Sequence, residues 1–274
     1  MTPPILTGTG LDRSYRIRDT TGRRREVTAL RGVDVSLASG ASLAVVGESG
    51  SGKSTLARLL VGLEAPDRGS VELAGRDLHC TRGRDRRELQ RRIQMIFQDP
   101  YRSLNPRMTV RSALRFVWRS GDESAGFDED CERMMGLVRL PLDYLTRRPG
   151  SLSGGERQRV SIARALMSRP DVVVADEAVS ALDRSVQADV LNLIADLRSR
   201  LGLTLLYITH DVHTVSAVCD DVIVLHHGIV VEHGSTSSVL SNPQDDYTRA
   251  LVDAAPTVVT ALEERGLLTD RAAS

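Results

Sequence analysis

Residues 47–54 read GESGSGKS, which fits the pattern G-x-x-x-x-G-K-[ST]. Residues of these types at this spacing can hold a polyphosphate. Gly47, Gly50 and Gly52 let the backbone turn tightly and, with Ser49 between them, aim successive N–H groups at phosphate oxygens. A helix opening directly after the loop adds the positive end of its dipole. In that geometry Lys53 reaches the β- and γ-phosphates, Ser54 offers its hydroxyl to Mg²⁺, and Thr55 lies against the α-phosphate. Lys53 is also the only lysine among 36 basic side chains. Arginine and lysine exchange at little cost on exposed faces, but a planar guanidinium does not fit a loop built around a compact, flexible point charge. The bias that removed lysine elsewhere spared the position where the two are least interchangeable.

Two further stretches carry chemistry. Residues 172–177, VVVADE, form an apolar run ending in adjacent carboxylates. Asp176 there either caps the following helix or holds Mg²⁺, as the corresponding acid does in phosphate-loop NTPases. Glu177 is then placed to polarise an attacking water as general base. Residues 152–159, LSGGERQR, are a Ser/Gly turn opening a helix, with Ser153 as its N-cap and Gly154 and Gly155 behind it. This makes a second anion-binding helix start. One nucleotide does not need two such loops from one chain, whereas two chains set head to tail could each cover the other's γ-phosphate.

The elements that must position these residues follow from hydrophobic periodicity. Residues 11–15 and 33–37 alternate apolar and polar, and predict an antiparallel hairpin interrupted by an Arg-rich insertion at 16–26. Residues 42–46, 71–73, 93–97, 172–175 and 203–208 read as strands. Residues 55–63, 84–92, 153–167 and 186–200 read as helices, the last with Val186, Val190, Leu191, Ile194 and Leu197 on one face. Residues 222–225 and 229–232 flank His227-Gly228 as a hairpin. Between 99 and about 152 the pattern becomes helical and is punctuated by prolines. The tail after Ser241 is short and partly helical. Strands alternating with helices predict an α/β fold with buried parallel strands. The expected organisation is one domain: a nucleotide-binding core from 1–98 and 156–240 that includes an N-terminal antiparallel β subdomain, a helical lobe at 99–155, and a tail at 241–274.

Composition narrows the function classes. The 274 residues carry 36 basic and 36 acidic side chains, for a net charge of zero, and only 3% are aromatic. Neither a basic excess nor a base-stacking platform is present, which argues against a nucleic-acid partner. The Arg-rich stretch at 82–92 is interspersed with acids and reads as a solvated helix. Cys80, Cys131 and Cys219 are far apart and odd in number, as expected of reduced thiols in a reducing compartment. No signal-peptide pattern and no run of 18 apolar residues occurs, so any membrane role must come through a partner.

Over nearly its full length the chain resembles the nucleotide-binding subunit of an ABC transporter. LSGGERQR is similar to that family's signature sequence, and the remaining family motifs stand in the family order. The resemblance implies an α/β P-loop NTPase (RecA-like) core that binds ATP and Mg²⁺. It implies that Gln98, in IFQDP, is the glutamine linking Mg²⁺ and water to the helical lobe. Asp183, in SALD, belongs to the loop that crosses the dimer interface. His210, in ITHD, contacts the γ-phosphate, and Tyr15 is the best match to the aromatic that stacks on adenine. Alone, Gln98, Tyr15 and His210 look like ordinary structural residues; their order around the strong motifs makes them candidates. Ala178 stands where many members have proline, which bears on subfamily and not on chemistry. Stretches such as RRIQMIFQDPYRSLNPRMTV, DEAVSALDRSVQADVLNLI and NPQDDYTRAL resemble the peptide and nickel importer branch. That branch implies transmembrane permease subunits, a second ATPase subunit paired head to tail, an extracytoplasmic substrate-binding protein, and a location at the cytoplasmic face of the cell membrane. ABC ATPases of DNA repair or translation are the alternative. The chain lacks the long coiled coils of the former and the doubled cassette of the latter.

Overall fold

The computed structural model describes residues 3–18, 22–118 and 126–254. In chain order the strands are β1 (Pro4–Arg18), β2 (Arg24–Ala38), β3 (Ser42–Val46), β4 (Arg68–Leu73), β5 (Arg76–Asp77), β6 (Ile93–Ile96), β7 (Val172–Asp176), β8 (Thr204–Thr209), β9 (Asp221–His226) and β10 (Ile229–Ser235). The helices are α1 (Lys53–Leu60), α2 (Gly83–Arg92), α3 (Pro100–Ser103), α4 (Val110–Val117), α5 (Phe127–Leu137), α6 (Gly154–Leu166), α7 (Arg184–Leu201), α8 (Thr236–Ser241) and α9 (Asp246–Ala254). Among the described residues no helix is long and apolar enough to cross a membrane.

These strands make two sheets. One is antiparallel, in the order β2-β1-β4-β5. The other runs β10-β9-β3-β8-β7-β6, with β9, β3, β8, β7 and β6 parallel and β10 antiparallel at the edge. The parallel strands are apolar nearly throughout because both faces are covered. Alternate residues divide between two cores. Val46, Ile96, Val173, Leu205, Tyr207 and Val224 belong to the core that also holds apolar residues of α4, α5, α6 and α7. Val45, Met95, Val174, Leu206, Ile208 and Leu225 face α1, α2 and the antiparallel sheet.

The N-terminal hairpin corrects one expectation. The Arg-rich insertion does not separate two short strands. Where it is described it continues the ladder, with Arg16 opposite Glu26, Ile17 opposite Arg25 and Arg18 opposite Arg24. Register shifts between Gly8 and Leu11, Leu11 and Arg13, and Arg13 and Ser14 break the period-2 pattern. Beyond Ser14 the ladder needs only backbone hydrogen bonds, so exposed arginines do not interrupt it. The C-terminal segment is helical at α9, and residues 255–274 of the expected tail lie outside the described residues.

The two buried thiols behave as core residues. Burial pushes Cys131 up to about 11 and Cys219 up to about 12, while Cys80 is exposed.

Candidate functional site

Sheet order assembles the site. Adjacent parallel strands β3, β8, β7 and β6 present their carboxyl ends side by side. Each is followed by a candidate: the phosphate loop after β3, His210 after β8, Asp176 and Glu177 at the end of β7, and Gln98 just beyond β6. Crevices at the carboxyl ends of such strands are where open α/β sheets bind ligands.

The phosphate loop is shaped by its glycines. Gly47 has φ 153° and Gly52 has φ 110°, conformations that side chains rarely adopt. A Cβ on Gly47 would run into the Leu225 carbonyl oxygen, and one on Gly52 into that of Ala29. Gly52 is the N-cap of α1 and gives no side-chain cap, so the first N–H groups of that helix are left for an anion. Lys53 is 5% exposed. Its Nζ donates to the carbonyls of Gly47 (2.7 Å) and Glu48 (2.8 Å). Burial lowers its pKa, opposed by the charges of Glu177, Asp176 and Glu48. The buried Ser51 hydroxyl has no partner among the described residues. Ser49 and Gly50 are exposed on the loop. A glycine cradle, an uncapped helix start, a buried ammonium and an orphaned hydroxyl together fit a polyphosphate.

Beside the loop, Ser54 Oγ lies 3.4 Å from Asp176 Oδ1. Asp176 is 8% exposed. Burial, then the Glu177 charge, pushes its carboxyl above the usual range. Such a carboxylate gains from a cation. Among the described residues no group of three or more His, Cys, Asp or Glu gathers as a metal cage. A hydroxyl and one carboxylate fit Mg²⁺, which keeps several waters and takes phosphate oxygens as its remaining ligands.

Glu177 has φ 45°, an uncommon left-handed backbone for a residue other than glycine, and its N–H donates to the Ile208 carbonyl at 2.8 Å. This conformation costs about 1–2 kcal/mol. The side chain it presents meets two predicted residues. Gln98 Nε2 donates to Glu177 Oε2 at 2.7 Å and to Ser180 Oγ at 3.1 Å. His210 Nδ1 stands 3.4 Å from Glu177 Oε1. Gln98 thus hydrogen-bonds Glu177 rather than Ser54 or Asp176. Ser180, which the motifs mark only as part of SALD, is the second anchor of Gln98. Glu177, Ser180, Thr209, His210 and Asp211 line a common small cleft.

Tyr15 sits at the edge of this site. Its hydroxyl donates to Glu64 Oε2 at 2.6 Å and lies 3.5 Å from Thr55 Oγ1, and the Arg13 guanidinium lies 5.0 Å from its ring centroid. No motif points to Glu64 or Arg13; the long β1 strand brings them together.

The second glycine turn stands apart. Ser153 caps α6 in a reciprocal box: its Oγ accepts the Glu156 N–H at 3.3 Å, and Glu156 Oε2 accepts the Ser153 N–H at 2.6 Å. Tyr144 donates to the other Glu156 oxygen at 2.7 Å. Gly154 and Gly155 pack closely on the segment holding Asp183. A Cβ on Gly154 would stand 3.2 Å from Leu182, and one on Gly155 2.5 Å from Val186. Asp183 is exposed and is the N-cap of α7 without a side-chain cap bond. The hydrogen bonds of Ser153 run to Glu156, and the close contacts of Gly154 and Gly155 to Leu182 and Val186.

Residues 30–180 match the family described as ABC transporter. The chain is 43% identical over 256 residues to the dipeptide transport ATP-binding protein DppF of Haemophilus influenzae, a match covering 92% of this chain and 78% of that one. It is 42% identical over 257 residues to the di/tripeptide transport ATP-binding protein DppF of Pseudomonas aeruginosa, covering 93% and 80%. Among solved structures, cbiO1 from Clostridium perfringens superposes with a TM-score of 0.74 at 23% identity, covering 95% of this chain and 99% of that one. The ATP-binding cassette MJ0796, bound to ADP and Pi, superposes with a TM-score of 0.72 at 24% identity, covering 84% and 98%.

Proposed function

The chain belongs to the ABC transporter family, and from that premise we propose that it is the ATP-hydrolysing subunit of an importer of di- or tripeptides. What carries the reading is the meeting of Gln98, Glu177 and His210 beside the Ser54–Asp176 pair at the mouth of the phosphate loop. Peptides, rather than nickel, follow from the substrates named for the relatives. The DNA-repair and translation alternatives find no support among them.

In this reading the β- and γ-phosphates lie in the loop, where Lys53 exchanges its two carbonyl partners for phosphate oxygens. Tyr15 carries the adenine ring. Ser54 and Asp176 would hold Mg²⁺, with Gln98 as a further candidate ligand, and the ion would neutralise phosphate charge. Glu177 accepts a proton from water as the water oxygen bonds to the γ-phosphorus and the bond to the ADP oxygen breaks. Gln98 holds the Glu177 carboxylate in place, and His210, on its other oxygen, reaches the γ-phosphate.

Ser153, Gly154, Gly155 and Asp183 lie outside that cluster and serve the nucleotide of a second ATPase subunit placed head to tail. Permease subunits then hold the pair at the cytoplasmic face of the membrane, and an extracytoplasmic binding protein delivers the peptide. The helical lobe at 99–155 transmits closure to the permease.

The test is uptake by the complex reconstituted in vesicles with its permease and binding protein. ATP-dependent accumulation of a labelled dipeptide is expected. Accumulation of nickel but not peptide overturns the substrate; ATP hydrolysis without uptake of either overturns the importer.

Asp176→Asn separates stability from activity. Removing a desolvated charge is expected to raise the Tm of the nucleotide-free protein by roughly 2–4 °C, about 1 kcal/mol at this size, while ATPase activity is lost. Thermal unfolding and phosphate release measure the two. A lowered Tm would show that the Asp176 charge is compensated in the empty site.

A further inference from the structure

The last described helix, α9, is fastened to the back of the phosphate loop. Its start is pinned to β10. The Glu232 carboxylate accepts the N–H groups of Gln244 (2.9 Å) and Asp245 (3.1 Å). Asp245 Oδ1 in turn accepts those of Tyr247 (2.9 Å) and Thr248 (3.3 Å). Tyr247 is thereby held with its ring flat on His226, centroids 3.7 Å apart and planes within 2°. Its hydroxyl oxygen accepts the Glu48 N–H at 2.9 Å.

Glu48 is the second residue of the phosphate loop, and its carbonyl is one of the two that hold Lys53 Nζ. Both ends of the Glu48 residue are therefore occupied, one by Tyr247 and one by the lysine. The turn after β9 supports the same loop: the Gly228 N–H donates to the Ser51 carbonyl at 2.9 Å, and the Leu225 carbonyl closes the space behind Gly47. On its other flank α9 packs against the 3-10 turn Val212–Thr214, which follows His210. One helix thus touches the segments behind both the phosphate loop and the histidine.

We infer that Tyr247 is a positioning residue of the phosphate loop, tying the seating of the C-terminal helix to the affinity of the site for nucleotide. The inference rests on the reading of that loop as an ATP site. A glycine-rich loop whose exposed Glu48 N–H has lost its acceptor samples more conformations, and the nucleotide must then restrict them on binding. Because Tyr247 has no place among the reacting groups, its loss acts on binding and not on the chemical step.

The test is Tyr247→Phe in the full chain, which keeps the ring stack and removes only the acceptor. Hydrogen exchange is followed over residues 47–52. ATP affinity is measured by equilibrium binding, and KM and kcat in the assembled complex. Exchange is expected to quicken in that segment alone, Kd and KM to rise roughly 3–10-fold, and kcat to stay within about twofold. Tyr247→Ala removes the stack as well and should weaken binding further. Arg249→Ala, in the same helix but without a bond to the loop, should match wild type in every reading. Superposed exchange and binding curves for wild type and Tyr247→Phe overturn the inference. So does quickened exchange with unchanged affinity, or a fall in kcat at constant KM. Failure of the nucleotide reading looks different: the wild-type chain itself would not bind ATP.

Discussion

Glu177→Gln, in the assembled complex, is expected to bind ATP as wild type does and to hydrolyse it roughly 10²–10⁴-fold more slowly, the range for loss of a general base. The substitution is close to isosteric. The oxygen of a glutamine amide can still accept the Gln98 Nε2 bond that Glu177 Oε2 now takes at 2.7 Å. The left-handed backbone at φ 45° is imposed by the chain, through the N–H bond to the Ile208 carbonyl, and not by the carboxylate. What disappears is the basic oxygen and the negative charge beside His210 Nδ1. Binding is read from retained labelled ATP, chemistry from single-turnover phosphate release. Turnover at the wild-type rate with saturating ATP would remove Glu177 from the catalytic role. If nucleotide is sandwiched between paired subunits as proposed, the same variant should also carry ATP in stable pairs, because hydrolysis would then not break the phosphate contacts between them.

Lys53→Arg is expected to be nearly as damaging as Lys53→Ala, with ATP affinity falling by at least about 30-fold in either. In the proposed site each charge-assisted bond from Lys53 to a phosphate would be worth about 1.5–3 kcal/mol, and Ala would remove them outright. Arg keeps the charge, but not the shape. Lys53 is 5% exposed and its ammonium sits between two carbonyls of its own loop. Forcing a larger planar group into that space costs a further 1–3 kcal/mol or so and pushes the loop open. Equilibrium binding of a fluorescent ATP analogue distinguishes the outcomes. Near-wild-type affinity for the arginine variant would show that the loop tolerates either cation. Because no other lysine exists in the chain, an amine-directed reagent provides an independent check. It should modify Lys53 and the α-amine, with ATP protecting Lys53 alone.

Much of the site could be read without coordinates because its chemistry is local. GESGSGKS specifies backbone, charge and hydroxyl within a single turn, and the structure realises it through Gly47, Gly52 and the buried Lys53. Ser153 and Glu156 are three residues apart, so their reciprocal cap is also a local property. The long hairpin was harder to read. Bulges at Gly8–Ser14 dissolve its alternation, so only fragments of β1 and β2 carry a strand pattern. The partners of Tyr15 were hidden for the same reason, since Glu64 reaches its hydroxyl from beyond the end of α1. Tyr247 carried no local sign at all. Nothing within several residues of it relates to phosphate, and its bond to Glu48 spans 199 positions.

The sequence by itself determined the residue types and spacings at stake: a glycine-rich loop holding the chain's one lysine, an apolar strand ending in two acids, and a Ser/Gly turn that opens a helix. Those features depend on residue type and short spacing, which a linear string states directly. Only the tertiary structure decided which of them act together. The order β3-β8-β7-β6 brings Lys53, His210, Glu177 and Gln98 to one mouth. It leaves Ser153 at the start of α6, capped by Glu156 and followed by Gly154 and Gly155, which pack against the Asp183 segment. Neighbours in a parallel sheet are joined by crossovers of a dozen residues or more, so adjacency in space is unrelated to adjacency in the chain. For the same reason the fastening of α9 to the phosphate loop is a fact of packing alone.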